Sequence, residues 1–144
     1  MKHTIEVLAC SLLLCGLSGC MALHAPHAKA FTEKAKGTTQ VETLENLATM
    51  METSATAAKG GKGDDQTLED LRDQSHAFRN VLCCLDKAKR ETPAYALTVT
   101  HTKELKAIFK RIKEFKDVQP QRDQHLDLFL TELRETRDSL QALK

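Results

Sequence analysis

The sequence predicts an all-α fold: an up-and-down antiparallel helical bundle on a flexible lipid tether. Apolar residues recur at spacings of three and four through most of the chain after residue 39, the repeat of one helix face. Composition agrees, because a chain with 4% aromatic residues, no Trp and one Tyr lacks the side chains that strands favour, while its Ala, Leu, Glu, Lys and Gln suit helices. Glycine and proline then divide the pattern into helix-length pieces. With 144 residues and a net charge of +1, there is room for one domain and no global field to attract polyanions. No nucleic-acid partner is expected.

The first element is an address. Residues 7–17 (VLACSLLLCGL) form an apolar run behind Lys2, too short to cross about 30 Å of hydrocarbon and suited to a secretion signal over residues 1–19. The run ends in Leu17-Ser18-Gly19-Cys20, which resembles the lipobox of bacterial lipoproteins. That resemblance implies cleavage before Cys20, diacylglycerol on its sulfur, and usually an N-acyl group, with no other cofactor expected. Met21, rather than Asp, follows the cysteine, which in Gram-negative members of the family favours the outer membrane, facing the periplasm. Acyl chains at about 0.8 kcal/mol per buried CH₂ make such an anchor effectively permanent. A second cleavage pattern, Ala28-Lys29-Ala30, would release a soluble periplasmic chain, but it lies well beyond the apolar run.

Residues 20–38 read as the lipidated start and tether, since large apolar residues are few; His24 and His27 are scattered within it. The bundle domain is expected over 39–144. Its first helix, about 39–59, opens with a capping box in which Thr39 accepts from the Glu42 amide, and presents Val41, Leu44, Leu47, Met51 and Ala55 on one face. Gly60-Gly61-Lys62-Gly63 then makes a hinge; no strand precedes it, so it is not a phosphate loop. The second helix, about 66–90, has a heptad seam of Leu68, Leu71, Ser75, Phe78, Leu82 and Leu85. Thr92-Pro93 stops it and caps the third, about 93–118, whose expected seam is Leu97, His101, Leu105, Ile108, Ile112 and Phe115, with a β-branched stretch at 98–102 that could kink it. The fourth, about 120–143, follows Pro120 and turns Leu126, Phe129, Leu133, Leu140 and Leu143 inward. Four helices, or three with a loosely docked first, make the bundle.

Candidate sites are few. Once the signal leaves and Cys20 is lipidated, Cys83 and Cys84 remain; neighbouring Cα atoms about 3.8 Å apart cannot support an unstrained disulfide, which wants roughly 4.4 to 6.8 Å. Val81, Leu82, Cys83, Cys84 and Leu85 form an apolar band around the whole helix, which suggests cover by an envelope partner or a second copy, or else burial by the first helix. Folding the third helix back on the second brings His101 to the height of residue 82, so Cys83, Cys84 and His101 could hold a soft or borderline metal, or serve thiol redox chemistry, near Asp138. Lys103, Lys106, Lys110 and Lys113 make a basic stripe, expected to face solvent and the acidic fourth helix. No G-x-S-x-G, H-E-x-x-H or paired E-x-x-H is present, so no enzyme is expected, and His76 and His125 read as surface residues. The expectation is a lipid-anchored, non-catalytic binding or adaptor module. Secretion-system pilotins, small outer-membrane lipoproteins that can be helical, are similar in architecture alone.

Overall fold

A computed structural model describes residues 27–61 and 63–144. Cys20 and the signal segment lie outside the described residues. The described chain is all-α: α1 (Ala28–Lys34), α2 (Gln40–Ala58), α3 (Asp65–Cys83), α4 (Lys87–Arg90), α5 (Pro93–Glu114) and α6 (Gln119–Gln141). No helix among the described residues is long and apolar enough to cross a membrane.

Local chemistry sets the helix starts. The hydroxyl of Thr39 accepts from the Glu42 amide at 3.1 Å, Asp64 accepts from the Thr67 amide at 2.9 Å, and Thr92 accepts from the Tyr95 amide at 3.2 Å. Glu42 reaches back one residue further than a capping box requires, to the amide of Thr38 at 2.6 Å. Gly37 leaves room for it, since a Cβ there would stand 2.6 Å from Glu42 Cγ.

Helices α2 and α3 form one antiparallel hairpin and α5 and α6 another, joined chiefly where α2 packs on α6. Leu44, Leu47, Met51, Leu71, Phe78, Ile112, Leu126, Phe129, Leu133 and Leu140 fill the middle. All five residues expected on the first seam are buried, as is every inward residue expected on the fourth. Helices α3 and α5, expected as close antiparallel neighbours, touch only lightly.

Four local expectations are corrected. Part of the tether is a helix: α1 docks on α3, burying Ala28 and Ala35 with Phe31 packed beside them. A helix this short is marginal alone, so tertiary contacts hold it. The buried carboxylate of Asp73 on α3 accepts from the His27 amide at 3.4 Å, and the Asn46 side-chain amide donates to the Ala35 carbonyl at 3.0 Å. The glycine hinge is a 3₁₀ turn at Lys59–Gly61 with left-handed Gly60 (φ 67°) and Gly61 (φ 72°), fastened to α6 by the Gly60 amide donating to Asp123 and by the Lys59–Asp127 ion pair. The second helix ends at Cys83 instead of running to 90, because Leu85 turns into the core and Asp86 caps a new turn at the Lys89 amide.

The seam of α5 is rotated at its start. Leu97 is 50% exposed and His101 half-buried, while Thr98 and Thr102 lie inside. These threonines enter the core because each hydroxyl bonds the carbonyl four residues back, Thr98 to Ala94 at 2.8 Å and Thr102 to Thr98 at 2.7 Å; Thr98 also meets the Ser139 hydroxyl of α6 at 2.7 Å. The β-branched stretch therefore neither kinks nor frays the helix.

Candidate functional site

The structure places the sequence-derived candidates apart. Leu82 and Leu85 are buried in the chain's own core, Val81 is half-buried, and Cys83 and Cys84 are exposed at the end of α3. The expected apolar band is thus no continuous surface, because the helix breaks at Cys84 and sends Leu85 inward. The Cys84 carbonyl, freed by that break, accepts from the Gln40 side chain at 2.9 Å. Tyr95 of α5 lies beside the two thiols; burial first, and then Cys83, raises its phenol above the ordinary range.

His101 is engaged elsewhere, with Nδ1 2.6 Å from Glu132 Oε1 on α6. Among the described residues, no three His, Cys, Asp or Glu side chains gather into a group that could hold a metal ion, so Cys83, Cys84 and His101 do not converge. Of that cluster, only His101 and Asp138 come to one place, a groove between α5 and α6.

This groove is open and has a volume of about 450 Å³, within the range of sites that accept a side chain or small ligand. Pro93, Ala94, Leu97 and Ala142 give it an apolar wall, and Glu135 and Asp138 rise on the α6 side. Neither carboxylate forms an ion pair among the described residues, whereas Glu45 and Glu52 of α2 pair with Lys144 and Arg137. An exposed leucine beside two unpaired carboxylates suits an apolar group flanked by positive charge.

On the other flank of α5 lies a cleft of opposite character. Where α3 and α5 fail to close, Ser75 and Thr102 present short side chains and leave a partly open space of about 50 Å³. Met51, Phe78, Leu105 and Phe109 line it with apolar surface, and Arg72, His76, Arg79 and Lys106 edge it. Arg72 is spent on Glu69 and on Asp73, the latter at 2.9 Å, but Arg79 and Lys106 have no ion-pair partner among the described residues. Burial, and then the Arg79 guanidinium, holds the His76 imidazole below its ordinary range, against the pull of Asp73.

Comparison of the chain with protein families, with curated proteins and with solved structures gives no match. The two surfaces along α5 therefore stand on their own chemistry. Sequence reasoning missed both. Arg72, His76 and Arg79, at spacings of four and three, mark a cationic flank beside the α3 seam that was available to it. Leu97 was concealed by fitting the heptad. The basic stripe also pairs differently from expectation: Lys113 reaches Glu69 of α3 at 4.0 Å and Lys110 reaches Glu114 within α5, while Asp127 of α6 pairs with Lys59. His125 stacks on Phe115, with ring centroids 5.3 Å apart.

Proposed function

We propose that this chain is a non-catalytic binding module of a bacterial cell envelope, anchored by lipid on Cys20, that grips an amphipathic helix of a client protein in the groove between α5 and α6. The observation behind it is the groove itself: half-exposed Leu97 on an apolar wall, facing the unpaired carboxylates of Glu135 and Asp138. A helix bearing a large apolar residue with Lys or Arg one turn away fits that pattern, in the helix-in-groove mode by which many adaptors hold their clients.

The anchoring part rests on the four lipobox residues and is supported by the docking of α1. Cleavage after Ala30 would remove the first turn of a packed helix together with the His27 amide that Asp73 accepts from, whereas cleavage before Cys20 leaves the domain whole. An outer-membrane, periplasm-facing protein of pilotin-like architecture is the concrete form of this proposal.

Two measurements test it. Intact mass of the membrane-extracted protein should give a chain beginning at a diacylated Cys20; an unmodified chain beginning at Phe31 overturns the anchor. For the groove, fluorescence anisotropy should show the full-length protein binding a designed Leu/Lys amphipathic helix, with binding weakened about tenfold by Glu135→Lys with Asp138→Lys, as loss of a charge-assisted contact predicts. Equal binding of a Leu/Glu helix of the same length overturns it.

A further inference from the structure

The cleft on the far side of α5 differs from the client groove in shape, charge and depth, and nothing in the proposed client binding uses it. Its apolar floor is built from three helices: Met51 of α2, Phe78 of α3, and Leu105 and Phe109 of α5. All four are buried and belong to the core itself, which opens on one side beside Ser75 and Thr102. Opposing helix surfaces normally interlock, and a gap lined by Phe and Leu forfeits dispersion contacts unless something fills it.

The rim decides the chemistry of the filler. Arg72 is already neutralised by Glu69 and Asp73, whereas Arg79 from α3 and Lys106 from α5 stand on opposite edges with no carboxylate paired to either among the described residues. His76 sits on the same edge as Arg79, and burial first, then the Arg79 guanidinium, keeps its imidazole below the ordinary range, so it adds little positive charge to the rim. Apolar depth beneath two unpaired cations is complementary to one kind of molecule.

We infer that the cleft between α3 and α5 binds an anionic amphiphile, a free monocarboxylate with a short alkyl or aryl body. Its carboxylate lies between Arg79 and Lys106, and its apolar end rests on Met51, Phe78, Leu105 and Phe109. The size of the cleft favours a small free molecule over a bilayer phospholipid. A space of about 50 Å³ corresponds to roughly three to five water positions at ~10–15 Å³ each, which admits the end of one chain and not two. Arg79 suits the head group, because a guanidinium can meet both carboxylate oxygens at once.

The test uses the full-length chain in phosphatidylcholine nanodiscs with ¹³C-methyl methionine, so that Met51 on the cleft floor reports occupancy and neighbouring Met50 serves as reference. Sodium octanoate should shift the Met51 methyl saturably and leave Met50 in place. Octylammonium, of equal length and opposite charge, should bind about tenfold more weakly or not at all, and Arg79→Gln with Lys106→Gln should weaken octanoate by about the same factor. Both substitutions lie at the cleft edge, and far-UV circular dichroism checks that the fold survives. Equal shifts from octanoate and octylammonium would overturn the inference, leaving a cleft that takes any apolar chain. A Met51 shift on moving to phosphatidylglycerol nanodiscs, with no response to octanoate, would also overturn it, in favour of a lipid head group.

Discussion

Truncating Leu97 and Leu105 separately distinguishes the observed face of α5 from the one its heptad spacing suggests. Both leucines lie on the expected seam, eight residues apart, so a reading from periodicity gives them similar weight. In the structure Leu97 is 50% exposed and Leu105 is 2% exposed. A fully buried leucine contributes about 1.5–3 kcal/mol by transfer, so half-burial leaves about 1 kcal/mol for Leu97→Ala. Alanine's better helix propensity returns a few tenths of that, and a site open to water leaves no cavity. Leu105→Ala empties a site beside Phe109 and the cleft, where core truncations cost about 2–5 kcal/mol. For a domain of this size, each kcal/mol moves Tm by about 3–6 °C, so the expected losses are about 2–5 °C for Leu97→Ala and about 6 °C or more for Leu105→Ala. Urea titration with matched m-values checks the ranking. If Leu97→Ala costs as much as Leu105→Ala, the rotation of α5 is refuted, and with it the groove. The same Leu97→Ala protein should bind the Leu/Lys helix poorly, separating a lost contact from a lost fold.

Asp73→Ala should undock α1 while leaving the rest folded: removing the buried acceptor of the His27 amide and partner of Arg72 weakens that end by about 1–3 kcal/mol, and trypsin should then cut faster after Lys29, inside α1. Unchanged cleavage would mean that packing of Ala28, Phe31 and Ala35 suffices. Glu42 is held below the ordinary carboxylate range, first by the Thr38 hydroxyl and then by the Thr38 amide, so its contribution is present above the unfolded value and is lost as pH falls through the lowered folded one. The urea midpoints of the parent and of Glu42→Gln should therefore converge in acid, and a constant gap down to the acid limit would contradict the cap. Cys83 and Cys84 are exposed, so under reducing conditions both should alkylate with iodoacetamide in the native protein at rates close to those in urea; protection of either would place it under cover in solution.

Periodicity and capping made most of the fold legible. Val41, Leu44, Leu47, Met51 and Ala55 could be placed because α2 has one apolar face and a Thr39 cap, and Leu126, Phe129, Leu133 and Leu140 because their spacing keeps one face of α6, which leaves Leu128 exposed. The misses share a cause: residues whose environment overrode their type. Thr98 and Thr102 are polar by composition but bury once their hydroxyls bond their own helix, and they rotate Leu97 outward. α1 escaped notice because Ala28 and Ala35 offer close approach instead of bulk, and its partner Asp73 sits on another helix. The seam through Leu85 hid the break after Cys83, where Asp86 caps a new turn. The two surfaces along α5 were legible only in part: the Arg72, His76 and Arg79 flank stands in the α3 sequence, but which side chains from separate helices pair depends on packing. That Glu135, Asp138, Arg79 and Lys106 lack ion-pair partners among the described residues follows from packing and not from local sequence.

The way α1 is fastened has a mechanical consequence. The hydrogen bond from the His27 amide to Asp73 sits at the end of α1 nearest Cys20, so a pull transmitted from an anchored N-terminus loads that bond first. Peeling a short helix from one end proceeds turn by turn at low force, whereas the long hairpins must slide as whole interfaces. With the N-terminus anchored as proposed, α1 would act as a fuse, yielding first under tension while the four long helices stay assembled. Optical-trap extension between Cys20 and the C-terminal end should show a small early step for α1 and a separate, larger one for the bundle, and a single merged step would show that they share one cooperative unit.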